Sequence, residues 1–366
     1  MKHIHVGGIA LFIVAVLCGA VYIGQSMTAS STSNVTIGAV LPLTGKAAYW
    51  GLPAQKGIEM AMSEIRAEYG EDAIAVVVED GQSDAKASAS AAQKLLSVNA
   101  VDALYSELSG PSSAIAPITA QAQVPFMYGA FNQKIVEENE RAVKVFLSFE
   151  DVCAQYGVYA KRTGVTKISI FNQVVDAAQY CARGLQMSYP EAVVTIEDNI
   201  TGEDFRTILL KAKQDKVDVI IPIMYEAGAH ALIRQKYDLR VGATLFCDKQ
   251  NCATENILKS NSPAHMNGVV YFEAVITDAF TEKFLAKHGQ DSMDEVQAAA
   301  FAYESIWAYF LALRSCANDA ACAVEALANA DGPQKALQND YFSSRMLYTK
   351  LQFTLLDNGK KVELDL

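Results

Sequence analysis

The sequence predicts an α/β protein built as two doubly wound, parallel-sheet lobes joined by a multi-strand hinge. Short β-branched runs alternate with longer helical patterns from Val35 onward, which is typical of βαβ units and of a parallel sheet covered on both faces. The alternation starts afresh at 143–149, which indicates a second unit of the same build. A late stretch, 294–317, is helical in pattern, apolar and poor in charge. It must be largely buried, so it is expected to pack on a lobe that is already formed.

The first series of elements runs from residue 35 to residue 130. Its strand patterns are short, apolar and rich in β-branched residues, and they occupy 35–42, 73–80, 101–107 and 124–130. Its helix patterns repeat apolar residues at helical spacing, and they occupy 55–69, 85–98 and 112–123. Each helix pattern lies between two strand patterns, as parallel pairing requires.

The second series repeats this alternation. Its strand patterns occupy 143–149, 167–173, 192–198, 217–224, 243–248 and 269–275. Its helix patterns occupy 150–164, 178–189, 202–215 and 226–238. The stretch 348–364 is strand-like again, so the chain is expected to pass between the lobes more than once and to form a hinge. The predicted division is 34–150 with about 276–345 for the N-terminal lobe, and 151–275 with about 346–366 for the C-terminal lobe.

Residues 1–33 are predicted to be an export signal or membrane anchor followed by a linker. A short basic start precedes an apolar run from Val6 to about Ile23 that contains no acidic residue and no proline. The run approaches the length of a membrane span, so a cleaved signal and an uncleaved anchor both remain open. Lipidation at Cys18 is disfavoured, because Val16 and Leu17 replace the small residues that a lipoprotein signal requires. We expect an exported protein, periplasmic or extracellular, whose membrane contact is through this segment only.

Charge and motif content disfavour several classes of function. The formal net charge is −11, and no basic patch is visible that could neutralise phosphate, so nucleic-acid binding is not expected. No dinucleotide-binding GxGxxG follows a strand, and the P-loop, HExxH and GxSxG motifs are missing. Only His230, His265 and His288 lie beyond the N-terminal segment. We therefore expect neither an enzyme nor a bound cofactor.

Six cysteines remain when Cys18 is set aside. In an exported chain an even number favours disulfides, although six cysteines allow fifteen connectivities. Two pairs are close enough in sequence to close single loops, which leaves a third pair. The predicted bonds are Cys153–Cys181, Cys247–Cys252 and Cys316–Cys322. A zinc site is the competing interpretation, but neither local pair has CxxC spacing and no histidine falls at a ligand interval, so no metal is expected.

Candidate binding residues follow the predicted strands, because ligands of open α/β sheets bind beyond the carboxyl ends of the strands. Ser109 begins a helix after 101–107, Ala130 ends the strand pattern 124–130, and Asn132 follows it. Asp151 follows 143–149, and Tyr225 follows 217–224. The serine could bind a carboxylate or only cap its helix. The aspartate could pair with a ligand ammonium or only complement the helix dipole.

The chain resembles the leucine/isoleucine/valine-binding protein family, the type I periplasmic solute-binding proteins that serve ABC importers. The opening "TIGAVLPLTGKAAYWGLPAQKGIEMAMSEI" carries the family's pattern of a glycine, Pro-x-Thr-Gly and two later glycines. The matching residues are Gly38, Pro42, Thr44, Gly45, Gly51 and Gly57. Further matches are "VVVEDGQSDAKASASAAQKLL", "LSGPSSAIAPITAQAQVPFM", "DFRTILLKAKQDKVDVII" and "YEAGAHALIRQKYDLRV". The resemblance covers nearly everything from Val35 to the C-terminus.

This resemblance implies roles for residues of the N-terminal lobe. The family's aromatic residue before the first-turn glycine falls on Trp50, which would wall the cleft and pack on the ligand. The carboxylate-binding serine matches Ser109. The next loop matches Ala130 and Asn132, where Asn replaces the family's Thr and changes either the pocket or the ligand.

The resemblance also implies roles for the second lobe. The ammonium-binding acid matches Asp151, with Glu150 as a one-residue alternative, and an aromatic after a strand matches Tyr225. A late acidic residue of the family falls on Gln250 or, depending on the gap, on Asp248. Ala177 replaces a family tyrosine, with Asp176 beside it, which weakens a leucine, isoleucine or valine assignment.

The function that the resemblance implies is capture of an amino acid or similar small polar solute by closure of two lobes. The partners would be an ABC permease and its ATPase. The alternative is a sensor of an amino acid or amide that passes closure to a separate signalling partner. Permease and ATPase genes beside this one would favour import, and a neighbouring regulator would favour sensing.

Overall fold

Two seven-stranded sheets covered by helices organise the chain. The computed structural model describes residues 34–174, 177–328, 330–333, 335–338 and 341–365. Its strands are β1 Val35–Leu41, β2 Ile74–Asp80, β3 Ala103–Glu107, β4 Phe126–Gly129, β5 Ala142–Lys144, β6 Lys167–Asn172, β7 Val193–Glu197, β8 Val219–Ile223, β9 Thr244–Asp248, β10 Val270–Ala274, β11 Tyr341–Ser343, β12 Met346–Tyr348, β13 Leu351–Asp357 and β14 Lys360–Leu364.

The helices of the described residues surround these strands. They are α1 Ala48–Tyr69, α2 Ala85–Ser97, α3 Ser109–Ala122, α4 Lys134–Glu138, α5 Phe149–Arg162, α6 Ala177–Ser188, α7 Arg206–Gln214, α8 Glu226–Asp238, α9 Lys249–Cys252, α10 Glu255–Ser260, α11 Pro263–Met266, α12 Asp278–His288, α13 Val296–Ser315 and α14 Ala320–Ala328. A 3₁₀-helix, Gln290–Glu295, precedes α13.

The two sheets repeat one topology. The first has the order β11-β12-β5-β4-β3-β1-β2 and the second the order β14-β13-β10-β9-β8-β6-β7. In each sheet the five strands from the main series are parallel, and the order reverses once, beside β1 and beside β6. The late strands add the antiparallel pairs β11/β12, β10/β13 and β13/β14. The predicted fold of two doubly wound lobes is therefore confirmed.

Three segments connect the lobes: 145–148, 275–277 and 349–350. The last crossing comes after the position near 346 that the sequence predicted. The reason is that β12 still belongs to the first sheet, where Met346 pairs with Lys144. The stretch 143–149, which opens the second predicted series, is likewise divided. Its first residues end β5 of the first sheet, and Phe149 begins α5 of the second lobe.

The late apolar helix α13 packs on α1 of the first lobe, as its lack of charge predicts. A β-carbon on Gly57 would lie 2.1 Å from the carbonyl oxygen of Ala299, so the glycine lets the two backbones approach closely. Buried aromatic residues of α13 add to this packing: Trp307 meets Tyr69 of α1 edge to face, and the Tyr309 hydroxyl donates to the carbonyl of Leu104 in the first sheet at 3.4 Å.

The three predicted disulfides are confirmed. Cys153–Cys181 joins α5 to α6, with 5.1 Å between the α-carbons. Cys247–Cys252 closes a loop from the end of β9 to α9, and Cys316–Cys322 closes the loop between α13 and α14.

Neither a metal-binding cluster nor a membrane-spanning helix is found among the described residues. They contain no group of three or more His, Cys, Asp and Glu side chains that could hold a metal ion. Within the same ranges, no helix is long and apolar enough to cross a membrane. The predicted signal or anchor, residues 1–33, lies outside the described residues.

Candidate ligand-binding cleft

A small cleft lies between the lobes, where the carboxyl ends of strands from both sheets meet. It encloses about 60 Å³, which is room for roughly four to six water molecules. Each lining residue either ends a strand, as Gly129 and Asp248 do, or comes after one, as the topology of open α/β sheets predicts. The lining residues are Tyr49, Trp50, Leu108, Ser109, Gly129, Ala130, Phe131, Phe146, Val174, Met224, Tyr225, Asp248, Gln250 and Asn251.

One end of the cleft is suited to an anion. Ser109 is the first residue of α3, and Leu108 before it provides no side-chain cap. The backbone N–H groups of Ser109 and Gly110 have no acceptor within the helix, because the first turn of a helix lacks carbonyl partners. Together with the helix dipole, these donors favour a carboxylate.

The Ser109 hydroxyl is oriented by its neighbour Asn132. The backbone N–H of Asn132 donates to Ser109 Oγ at 3.3 Å, so the hydroxyl proton of Ser109 is free to donate into the cleft. The Asn132 amide is itself held, because its Nδ2 donates to Ser113 Oγ at 2.7 Å and its Oδ1 accepts from Lys134 N at 3.0 Å. Asn132 therefore acts behind the cleft wall rather than on its surface.

Leu108 carries strained backbone at this end of the cleft. Its φ is 70° and its ψ is 142°, a combination that glycine adopts readily and that other residues adopt at a cost. The backbone is held on one side by the bond from Leu108 N to the carbonyl of Gly129 and on the other by the bond from Ser112 N to the carbonyl of Leu108.

Aromatic side chains wall the first-lobe side. Trp50 is only 8% exposed and meets Phe146 edge to face, with ring centroids 5.5 Å apart. Phe131 meets Phe146 at 5.0 Å. The helix pattern predicted from the sequence begins at residue 55, but α1 begins at Ala48 and carries the Trp50 indole in its first turn.

A buried acid lies behind this wall. Glu107 ends β3, is 1% exposed, and accepts a hydrogen bond from the Tyr105 hydroxyl at 2.8 Å. Burial raises its pKa to about 8, although hydrogen bonds from Tyr105 and the Trp50 indole act in the opposite direction. At neutral pH the side chain is therefore mainly the uncharged acid, and no negative charge opposes an anion at the neighbouring Ser109.

The second lobe contributes a different acid, Asp248, at the end of β9. One carboxylate oxygen caps α9 by accepting from Gln250 N at 2.8 Å. The other is buried and has no hydrogen-bond partner among the described residues. Burial raises the pKa of Asp248 to about 7. The free oxygen can accept a hydrogen bond from an ammonium or hydroxyl group.

Contacts across the cleft hold the lobes together. Tyr49 of α1 donates its hydroxyl proton to Oδ1 of Asn251, at 3.2 Å. Lys46 places its Nζ 4.2 Å from the ring centroid of Tyr225. Asp294 of the 3₁₀-helix accepts from the backbone N–H of Glu255, at 2.8 Å, at the start of α10. These contacts describe a closed arrangement of the lobes.

Five of the seven residues that the sequence proposed for the site line this cleft: Trp50, Ser109, Ala130, Tyr225 and Gln250. Two do not. Asn132 is buried behind Ser109 and lines a neighbouring groove. Asp151 lies exposed in the first turn of α5, outside the cleft lining.

Asp151 lies outside the cleft because the crossing ends at Ser148 and α5 begins immediately afterwards. Its alternative, Glu150, pairs with Arg183 at 3.1 Å. Burial lowers the pKa of the fully buried Lys144 to about 7, and the Asp151 carboxylate acts in the opposite direction. Ala177, which replaces a tyrosine of the family, is buried and does not line the cleft. Its neighbour Asp176 lies outside the described residues.

Several cleft residues were not singled out from the sequence. They are Tyr49, Leu108, Gly129, Phe131, Phe146, Val174, Met224 and Asn251. Their common signal is position, since all lie near the end of a predicted strand or a few residues after it, but polarity did not separate them from core residues.

Comparison with known proteins agrees with this architecture. Residues 34–344 match the family model described as "Periplasmic binding protein". Among curated proteins, no relative matches the sequence.

Solved structures of the same fold are similar at low identity. A leucine binding protein, LivK, from Thermotoga maritima has a TM-score of 0.77 and 18% identity, and the match covers 90% of this chain and 98% of that one. LivJ from Streptococcus pneumoniae, in complex with isoleucine, has a TM-score of 0.73 and 18% identity, with 91% and 100% covered. A solute binding protein of an ABC transporter from Rhodopseudomonas palustris, in complex with p-hydroxybenzoic acid, has a TM-score of 0.73 and 19% identity, with 91% and 96% covered.

Proposed function

Because this chain belongs to the periplasmic binding protein family, a family of solute-binding proteins, we propose that it is the substrate-binding protein of an ABC importer. Its ligand is a small carboxylate that carries an ammonium or hydroxyl group, as amino acids and hydroxy acids do. The observation that carries this proposal is the pairing of Ser109 and Asp248, which face one small cleft from opposite lobes.

The carboxylate end of the ligand lies at α3. Three donors converge there: the Ser109 hydroxyl and the first two backbone N–H groups of the helix. Charge-assisted hydrogen bonds of this kind are stronger than neutral ones. The uncharged form of Glu107 behind them leaves the helix N-terminus attractive to an anion.

The other end of the ligand donates to Asp248. An ammonium group would favour the ionised carboxylate and lower its pKa, because opposite charges stabilise each other. A ligand hydroxyl can donate to either the charged or the neutral acid. The aromatic walls accept the apolar part of either ligand class. The structural neighbours in complex with isoleucine and with p-hydroxybenzoic acid agree with both classes.

Ligand binding favours the closed form because the two ends of the ligand lie on different lobes. A ligand shifts a conformational equilibrium only by its difference in affinity for the two states. Ser109 and Asp248 can bind one small molecule together only when the lobes are closed. The closed form is then the one presented to a permease and its ATPase, outside the cytoplasmic membrane, with residues 1–33 as signal or tether.

A thermal-shift screen of the purified protein tests the ligand class. The set is the common amino acids, benzoate and its hydroxy derivatives, small amides, urea and polyamines. At a concentration a hundredfold above Kd, a ligand adds about 2.7 kcal/mol to the free energy of unfolding. Stabilisation by one amino acid or hydroxy acid, but not by its amide or ester, supports the carboxylate end. If only amides, urea or polyamines stabilise the protein, the proposed ligand class is wrong.

Asp248→Asn, with Asp151→Asn as control, tests the other end of the ligand. Both changes remove one carboxylate, but only Asp248 lines the cleft. Asp248→Asn should weaken the binding of an amino acid much more than the binding of a hydroxy acid. Asp151→Asn should leave the Kd of both unchanged. Equal weakening by both variants would contradict the assignment of Asp248.

A further inference from the structure

A second groove lies at the hinge, behind the ligand-binding cleft. It has a volume of about 270 Å³ and is bounded by both lobes and by the crossing at 275–277. Four glutamines line it: Gln250, Gln297, Gln338 and Gln352. We call it the hinge groove.

Gln297 is the most unusual of these residues. It lies in the first turn of α13 and is only 3% exposed. Among the described residues, neither its Nε2 nor its Oε1 has a hydrogen-bond partner, and both atoms are buried. An unpaired amide inside a protein opposes folding. The buried donor and acceptor of Gln297 therefore require partners that the described residues do not supply.

The other glutamines come from different parts of the fold. Gln338 is attached to the crossing, since its backbone N–H donates to the carbonyl of Val275 at 3.0 Å. Gln352 belongs to β13 of the second lobe and lies opposite Glu273 of β10. Gln297 belongs to the first lobe. A molecule in the hinge groove would therefore touch both lobes and the segment between them.

The charges of the groove wall are already balanced. Lys249 donates to Glu273 at 2.5 Å, and both side chains are about one-fifth exposed. An ionic ligand would have to compete with this pair. Asp278, at the rim, is exposed to solvent. The wall nearest Gln297 thus offers carboxamides rather than an unpaired charge, which favours an uncharged ligand.

We propose that the hinge groove binds a small uncharged solute that bears a primary carboxamide. The amide of Gln297 presents one donor and one acceptor side by side in a plane. A second carboxamide matches both at once, with its N–H on Oε1 and its C=O on Nε2, whereas a single hydroxyl group presents no such planar pair of donor and acceptor. The hinge groove shares the wall residue Gln250 with the ligand-binding cleft, but Gln297 lines only the groove, so the proposal does not depend on the identity of the cleft ligand.

Propionamide is the probe, with propionate as the charged isostere. The melting midpoint of the purified protein is measured against the concentration of each. Gln297→Met keeps the length of the side chain and removes both unpaired atoms, so it should fold at least as stably as the wild type. Tyr225→Ala is the control that alters the ligand-binding cleft and leaves the hinge groove intact.

The expected result is a saturable rise in the melting midpoint with propionamide, little or none with propionate, and loss of the rise in Gln297→Met but not in Tyr225→Ala. A rise that survives in Gln297→Met would overturn the site, and so would its loss in Tyr225→Ala alone. No rise in the wild type would do the same.

A second measurement does not depend on any variant reaching the native state. In the wild-type protein labelled with ¹⁵N, the side-chain amide resonance of Gln297 should move progressively as propionamide is added. A Gln297 resonance that stays fixed while propionamide stabilises the protein would place the bound amide elsewhere and overturn the proposal.

Discussion

Tyr49 of the first lobe and Asn251 of the second form a hydrogen bond of 3.2 Å across the cleft, although 202 residues separate them in the chain. The Tyr49 hydroxyl is buried, and burial together with the nearby Glu226 carboxylate raises its pKa well above the usual value. It therefore remains a neutral donor at physiological pH. The bond can form only when the lobes are closed, so it belongs to the closed geometry.

Tyr49→Phe should weaken ligand binding about fivefold by destabilising the closed form. A neutral hydrogen bond contributes about 1 kcal/mol, which corresponds to roughly a fivefold change in Kd. Isothermal titration measures Kd, and Tyr237→Phe is the control because Tyr237 is an exposed tyrosine remote from the cleft. Unchanged affinity in Tyr49→Phe would show that this bond does not stabilise the closed form.

Ser109→Ala should weaken the binding of a carboxylate ligand about tenfold to a hundredfold. Hydrogen bonds to charged groups contribute about 1.5–3 kcal/mol, and the backbone donors of α3 remain in the variant. Ser97→Ala, an exposed serine at the end of α2, is the matched control. If the uncharged methyl ester of the ligand loses as much affinity as the acid, the role of Ser109 as a carboxylate donor is contradicted.

Stability should fall with rising pH because of Glu107. Its pKa is about 8 in the folded protein, against 4.5 for an exposed glutamate. Between these pH values the folded state holds one more proton than the unfolded state. The contribution of Glu107 to stability is therefore complete below about pH 4.5 and is lost as pH rises to about 8. The slope is at most about 1.4 kcal/mol per pH unit.

Glu107→Gln removes this proton linkage and keeps the shape of the side chain. The stability of the variant relative to the wild type should therefore increase from pH 5 to pH 8. Urea unfolding at each pH measures it, and the other titrating groups cancel in the comparison. A difference that stays constant with pH would mean that Glu107 titrates normally.

The disulfide Cys247–Cys252 should matter for binding as well as stability. It closes the loop that carries Asp248, Gln250 and Asn251, all of which line the cleft. The bond Cys316–Cys322 closes a loop of nearly equal length away from the cleft. Replacing either pair by alanine should cost about 2 kcal/mol on the chain-entropy account.

Only the change at Cys247 and Cys252 should also raise Kd for the cleft ligand. Urea unfolding and titration calorimetry on the two double variants separate the effects. Equal Kd values in the two double variants would show that the loop from Cys247 to Cys252 keeps its geometry without the disulfide.

Gly57→Ala should destabilise the first lobe. The new β-carbon would meet the carbonyl of Ala299 at 2.1 Å and force α1 and α13 apart. Overpacking of this kind costs typically 1–3 kcal/mol and outweighs the gain in helix propensity. Gly242→Ala is the control, since nothing lies within 4 Å of its β-carbon position. Similar melting midpoints for the two variants would contradict the close approach of the helices.

The sequence predicted the two sheets well because strands and helices depend on short-range pattern. Alternation of strand and helix patterns, followed by the topology rule, is enough to place Ser109, Ala130 and Tyr225 at strand ends. Cysteine spacing within an exported chain was enough for the disulfides.

The acid of the second lobe could not be chosen in the same way. Asp151 follows one strand pattern and Asp248 ends another, and only the point at which α5 begins turns Asp151 to the surface. Gln297 gave no signal at all, because one glutamine in a long apolar helix pattern looks like a surface position. Its burial depends on the hinge packing against α13, which is a tertiary contact.

The three crossings also constrain how this protein can be made. The first sheet needs β12, which ends at Tyr348, and the second needs β13 and β14, which end the described chain. Neither lobe can complete its sheet before residues 341–364 have been synthesised, so the two lobes mature together rather than in turn. A chain that folds late stays extended long enough to be threaded through a secretion channel, which suits a protein destined to work outside the cytoplasm.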